Sequence, residues 1–174
     1  MSLHTLKRVQ TLPVTIQEAW EFFSSPLNLS LITPPEMKFH VLSRFNPGDK
    51  IFKDMLIDYR VSPLLSIPMF WQTKITEVDA PHYFVDEQLK GPYAYWHHEH
   101  HFREVNGGTE MTDLVQWRVP FGWAGDWVNE FLVRKRVEAI FNFREKKLNQ
   151  LYAEPQFASS NQRWLQLLVP VFSK

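Results

Sequence analysis

No cysteine occurs in this 174-residue chain. That excludes a disulfide frame, a thiol nucleophile and any thiolate metal site. Excess charge is also missing: nineteen Lys and Arg stand against nineteen Asp and Glu. No whole-molecule field therefore gathers nucleic acid or an anionic membrane, and no nucleic-acid partner is expected. Glycine is sparse, with six residues, and no glycine-rich phosphate loop or serine nucleophile elbow appears. No apolar run approaches the length of a membrane span, so stable membrane insertion is not expected. Met1 to Leu12 interleaves His4, Lys7, Arg8 and Gln10 with its apolar residues and has no signal-peptide core. With no targeting signal, the expected location is the cytoplasm.

What is present suits one soluble domain. A hydrophobic content of 44% and a charged content of 22% are ordinary for a chain that buries a real core. Aromatics are abundant, with 7 Trp, 14 Phe and 5 Tyr. Such side chains either fill a core or line a cavity, and composition alone does not separate the two.

The most informative stretch runs from Gly91 to Phe102, followed by Asn106-Gly107 and a strand-like Thr109 to Val119. Strand alternation puts Trp96, His98, His100 and Phe102 on one face, and Tyr95, His97, Glu99 and His101 on the other. A two-residue Asn-Gly loop of type I′ pairs Val105 with Gly108 and hence His100 with Asp113. Met111, Asp113, Val115 and Trp117 then join the Trp96 face. Titratable groups inside an apolar wall are more typical of a ligand site than of a plain core.

Around this hairpin the chain reads in order. Leu3 to Leu12 is an expected strand. Thr15 and Glu18 have capping-box spacing for a helix through Phe23, and Ser25-Pro26 starts a second short helix that Thr33-Pro34-Pro35 stops. Alternation predicts strands over Lys38–Phe45 and Lys50–Val61, a loop or bulge between Pro63 and Pro68, and a strand from Met69 to Ile75. Tyr83 to Leu89 is a further strand with two readings. Its own pattern points Tyr83, Val85 and Leu89 inward, whereas a three-residue turn at Gly91–Tyr93 puts Phe84 and Asp86 on the His98 face. A helix over about 123–152 follows, with Val137, Ile140, Phe141, Leu148 and Leu151 in a stripe that Trp127 and Phe131 extend. These elements place one domain over 1–154 and a C-terminal extension over 155–174, the extension packing on the domain or on a partner.

Several segments together resemble one family. They are Ser25-Pro26-Leu27-Asn28-Leu29 with Thr33-Pro34-Pro35, Ile57-Asp58-Tyr59-Arg60, Ile67-Pro68 with Trp71 to Ile75, and Phe84 to Gln88 running through Gly91-Pro92-Tyr93 to Phe102. Gly108-Thr109 with Asp113, Pro120 and Gly122, and Ile140-Phe141 with Arg144 complete the set. The chain resembles the SRPBCC helix-grip superfamily shared by START domains, birch-pollen-allergen proteins and polyketide cyclases, and within it the bacterial cyclase/dehydrase-like ligand-binding proteins. The resemblance implies an α+β fold: a curved antiparallel sheet around a long C-terminal helix, with two short helices after the first strand and a cavity between. It fixes no ligand, because the fold hosts transfer proteins, cyclases, hydratases and regulators alike.

The expected function is binding of a small hydrophobic or amphipathic molecule between sheet and last helix. Trp71, Asp86, Trp96, Trp117, Phe131 and Phe141 are the candidate lining, and Arg144 either anchors an anionic ligand group or snorkels to the helix edge. An alternative is an acid-base enzyme of cyclase or hydratase type, in which Asp113 orients His98 and His100. Another is an interaction protein docking through Trp164 to Phe172, on a partner, on a second copy as a homodimer or on a membrane surface. Four histidines at 97, 98, 100 and 101 invite a metal, and Asp113 with Asp86 could complete a His/carboxylate set. Only His98 and His100 share the inward face, however, and no thiolate assists, so neither metal nor cofactor is expected.

Overall fold

A computed structural model describes residues 2–62 and 67–153. The expected extension over 155–174, and positions 63–66 of the loop between the two prolines, lie outside the described residues. Among the described residues seven antiparallel strands form one sheet in the order β1-β7-β6-β5-β4-β3-β2. They are β1 His4–Leu12, β2 His40–Val41, β3 Leu56–Val61, β4 Met69–Asp79, β5 Tyr83–Lys90, β6 Tyr95–Val105 and β7 Gly108–Arg118. Consecutive strands pair throughout from β2 to β7, and β1 closes the other edge against β7.

Local chemistry sets the first turns. Helix α1, Ile16–Phe23, starts on a capping box in which the Thr15 hydroxyl accepts from the Glu18 amide and the Glu18 carboxylate accepts from the Thr15 amide. A 3-10 turn, Pro26–Ile32, begins after Ser25 and ends at extended Thr33, where two prolines deny a continuing helix its donors. A second 3-10 turn, Pro35–Met37, ends at Lys38 in a left-handed conformation. That reversal removes the start of the expected strand over Lys38–Phe45, and its end is lost where the Leu42 and Ser43 amides both turn to the Asp58 carbonyl, leaving His40–Val41. The other expected strand, Lys50–Val61, begins only at Leu56, because Asp54 also has a left-handed φ of 70°. Its amide donates to the Ile75 carbonyl, away from a ladder position.

The β6–β7 hairpin has the register read from the sequence: Val105 opposite Gly108 and His100 opposite Asp113. Its turn departs from type I′, because positive φ falls on Gly107 (92°) and Gly108 (148°) rather than on Asn106. Gly108 is also pressed against β1, where a Cβ would sit 2.0 Å from the Leu12 carbonyl oxygen. Between β5 and β6, Asp86 pairs with His98 and Phe84 with His100. This is the register of a three-residue turn at Gly91–Tyr93, so Phe84 and Asp86 take the His98 face.

The last helical stretch falls into three parts: α2 Gly122–Val128, a π-helical segment Asn129–Val133, and α3 Arg134–Ala153. Val133, Val137, Phe141, Arg144, Leu148 and Leu151 form its buried stripe. Trp127 and Phe131 do not extend that stripe, and are 68% and 58% exposed. Six residues separate Phe131 from Val137, about one and two-thirds turns, which carries Phe131 away from the sheet. The wider π turn shifts the phase further. Helix α3 lies over the sheet beside β1, where Gln10 donates to the Glu145 carbonyl and to Asn149.

Two apolar clusters share the space between helix and sheet. One joins α1 and the first 3-10 turn to β3, β4 and the end of α3, through Phe22, Ile32, Ile57, Ile75, Met111 and Leu148. The other gathers Leu6, Val115, Trp117, Val133, Val137 and Phe141. Burial of such side chains at about 1.5–3 kcal/mol each makes this the main term holding helix to sheet.

Candidate functional site

A cavity of about 170 Å³ lies between the two clusters. At about 10–15 Å³ per water-sized sphere, it has room for roughly a dozen waters, or one small organic molecule. Its wall is largely apolar, formed by residues such as Phe22, Phe39, Ile57, Ile75, Ile140 and Phe141. Trp71, Tyr93 and Trp96 form an aromatic group on that wall, with the indoles of Trp71 and Trp96 edge-on at 5.3 Å.

Asp86, His98, His100 and Arg144 face the same space. Their arrangement follows from the strands. His98 and His100 are two apart on β6, Asp86 is the cross-strand partner of His98, and Asp113 that of His100. The imidazoles bridge the two carboxylates in a closed ring. His98 Nε2 lies 2.8 Å from Asp113 Oδ1 and His98 Nδ1 lies 3.4 Å from Asp86 Oδ2. His100 Nε2 lies 3.0 Å from Asp86 Oδ2, and His100 Nδ1 lies 3.0 Å from Asp113 Oδ1. This last contact is close but off the line of a hydrogen bond. Arg144 reaches Asp113 Oδ1 at 3.2 Å, with its guanidinium carbon 4.9 Å from the Phe141 ring centre. His100 also stacks on Phe84 at 4.1 Å.

The electrostatics divide the two histidines. Burial, reinforced by the charge on His100, pushes the His98 pKa down to about 4, against the pull of Asp113 and Asp86. Burial also opposes charge on His100, but its contacts with Asp113 and Asp86 outweigh that and raise its pKa. Burial opposes ionisation of Asp113 too, yet the Arg144 charge and then the two histidines hold its pKa well below the usual carboxylate range. Burial is also the largest single influence on Asp86 and opposes its ionisation, but the hydrogen bond with His100 and the charges of His98, His100 and Arg144 together outweigh it and lower its pKa. The ionised carboxylates and Arg144, with His100 shifted towards its charged form and His98 towards its neutral one, offset one another's charge. That is how so many ionisable side chains share a buried wall. Nearby Tyr59 and Tyr93 are pushed up by burial and stay neutral.

The sequence-derived candidates separate into three sets. Trp71, Asp86, Trp96, His98, His100, Phe141 and Arg144 meet at the cavity. Asp113 sits behind the histidines rather than on the wall, and a buried Arg144 ion-paired to it neither snorkels nor stands free to anchor a ligand. Two expectations are corrected. Trp117, only 1% exposed, belongs to the second apolar cluster, and Phe131 is turned to the surface by the phase of its helix. The sequence reading missed Tyr59, Thr73 and Tyr93, all on the wall. Tyr59 sits on an alternating apolar face and looks like core, and Thr73 accepts from the Trp71 indole at 3.0 Å. On the opposite face, His97 bridges Glu87 and Glu99, at 2.8 and 3.2 Å.

No family model matches the sequence, and no curated protein matches it. Solved structures do match in three dimensions. A START superfamily protein from Mycobacterium smegmatis aligns at 13% identity and a TM-score of 0.61, over 85% of this chain and 99% of its own. Protein CV1439 from Chromobacterium violaceum aligns at 11% identity and a TM-score of 0.64, over 86% and 97%. Ara h 8.0201 aligns at 13% identity and a TM-score of 0.56, over 86% and 99%. Identities this low speak for the fold and leave the ligand to the site itself.

Proposed function

We propose, from a chain that has the START-like helix-grip fold, that it binds one small, largely hydrophobic molecule in the cavity between sheet and α3. The observation that carries this reading is a predominantly apolar cavity with a single charge-compensated polar end, Asp86, His98 and His100. Apolar walls supply affinity through burial, and a few convergent polar groups fix orientation. The fitting ligand has a flat or branched apolar body, for contact with Trp71, Trp96 and Phe141, and one oxygen-bearing polar end. The volume suits a compact molecule better than a long acyl chain in full extension. Among the described residues no helix is long and apolar enough to cross a membrane.

Native mass spectrometry after gentle purification, followed by organic extraction, tests the reading. A co-purifying mass in the range of a small molecule is expected. It should be absent from Ile140→Trp, which fills the cavity from α3 at a folding cost of about 1–3 kcal/mol. An empty protein, together with no thermal shift from a broad panel of lipids and metabolites, would remove the reading's support.

A further inference from the structure

The polar end of the cavity holds more structure than orienting a ligand requires. Asp86 Oδ2 lies 3.0 Å from His100 Nε2 and 3.4 Å from His98 Nδ1, and the three donors fall within 4.8 Å of one another. Imidazole and carboxylate donors bind a transition metal at about 2.0–2.2 Å, so neighbouring donors in a tetrahedral or octahedral shell stand about 3 Å apart. Both Asp86 edges are already near that length. We propose that Asp86, His98 and His100 form a site for a divalent first-row transition-metal ion, with the remaining coordination positions opening into the cavity.

A second observation supports the same assignment. Both imidazoles turn their other nitrogen to a single carboxylate oxygen, Asp113 Oδ1, at 2.8 Å from His98 Nε2 and 3.0 Å from His100 Nδ1. For His98 this carboxylate is a hydrogen-bond partner that fixes the tautomer, holding the proton on the rear nitrogen and leaving the front lone pair for the ion, whereas His100 meets the same oxygen off the hydrogen-bond line. Arg144 holds that carboxylate in turn at 3.2 Å. The donors stand on paired strands rather than on loops, which fixes their spacing. His98 and His100 are buried, and Asp86, His98 and His100 line the cavity while Asp113 does not. An ion held there would therefore face whatever enters. Imidazole with carboxylate and no thiolate suits Zn²⁺, Fe²⁺ or Co²⁺. The absence of cysteine and the two inward histidines argued against a metal at the level of sequence. The third donor comes from β5, whose facing the sequence left open. This proposal stands independently of what the cavity binds.

The full-length protein, stripped with a chelator and dialysed against Zn²⁺, Co²⁺ or, under anaerobic conditions, Fe²⁺, tests it by elemental analysis. One equivalent is expected, with visible absorption bands from bound Co²⁺. H98Q and H100Q should each lose that equivalent at the same free metal concentration, while the surface variant H97Q/H101Q keeps it. D113N should keep one equivalent with affinity weaker by about 10–100-fold. A measurement needing no variant guards against misfolding: paramagnetic Co²⁺ should broaden the NMR signals of Phe84, stacked on His100, and Phe141, 5.6 Å from the His98 ring. Wild-type protein that takes up none of the three metals overturns the proposal. So does uptake that survives H98Q and H100Q but disappears in H97Q/H101Q, or broadening confined to the His97 and His101 face.

Discussion

Arg144 and Asp113 show at the residue scale what the buried polar end costs. Each is nearly sealed from water, so removing Arg144 takes from Asp113 its guanidinium partner and leaves it only the two imidazoles, while removing Asp113 takes from Arg144 its ion pair. Arg144→Met is expected to lower folding stability by about 3–5 kcal/mol. In Arg144→Met/Asp113→Asn the loss should fall clearly below the sum of the two single losses, as urea denaturation would show. Equal single and additive double losses would mean that the pair is not coupled. Trp117 and Phe131 give a second contrast. Trp117→Ala should cost about 3–5 kcal/mol, because it empties a fully buried site. Phe131→Ser should stay within about 0.5 kcal/mol and leave ligand uptake unchanged. Both were read from sequence as cavity residues, and the reason for the error is physical. Alternation names the face of a strand but not the position along it. His98 lies under open space on that face, whereas Trp117 lies under α3. Asp86 became legible only through the length of the Gly91–Tyr93 turn.

Among the elements, the β6–β7 hairpin is the one that its own residues specify best. A two-residue loop and strict period-2 patterning define a register in which a slip of one residue would turn His98 and His100 outward. Gly108 pins that hairpin to β1. Gly108→Ala is expected to destabilise by about 2 kcal/mol or more, since it combines a positive φ with a collision on the Leu12 carbonyl. Gly107→Ala meets no atom within 4 Å and should lose only the conformational part. Equal losses, measured by thermal or chemical unfolding, would remove the close approach as the cause. Elsewhere the sequence overstates its strands. The alternation from Phe39 to Phe45 is real, but left-handed Lys38 and Asp54, and the Asp58 carbonyl shared by the Leu42 and Ser43 amides, take the flanking backbone out of the ladder. The break of the last helix at Asn129–Val133 is likewise absent from hydropathy, because a π turn is a change of hydrogen-bond partner rather than of residue type.

For the whole molecule, ligand binding and folding are linked, so occupancy should be visible in the melting temperature. A ligand at about a hundred times its dissociation constant adds about 2.7 kcal/mol. In a chain of this size that corresponds to a rise of about 5–10 °C. Ile140→Trp should show no such rise with the same compound, and an equal rise would locate binding outside the cavity. The edge-on indoles of Trp71 and Trp96 add a property of another kind. At 5.3 Å between ring centres their electronic transitions couple, so light absorbed by one ring is shared with the other. Such a pair gives a signed doublet in the ultraviolet circular-dichroism spectrum whose size follows the angle between the rings. Because both rings stand on the cavity wall, a guest that tilts either one rewrites the doublet, and Trp71→Phe abolishes it. The protein thus carries its own chiroptical gauge of whether the space between sheet and helix is filled.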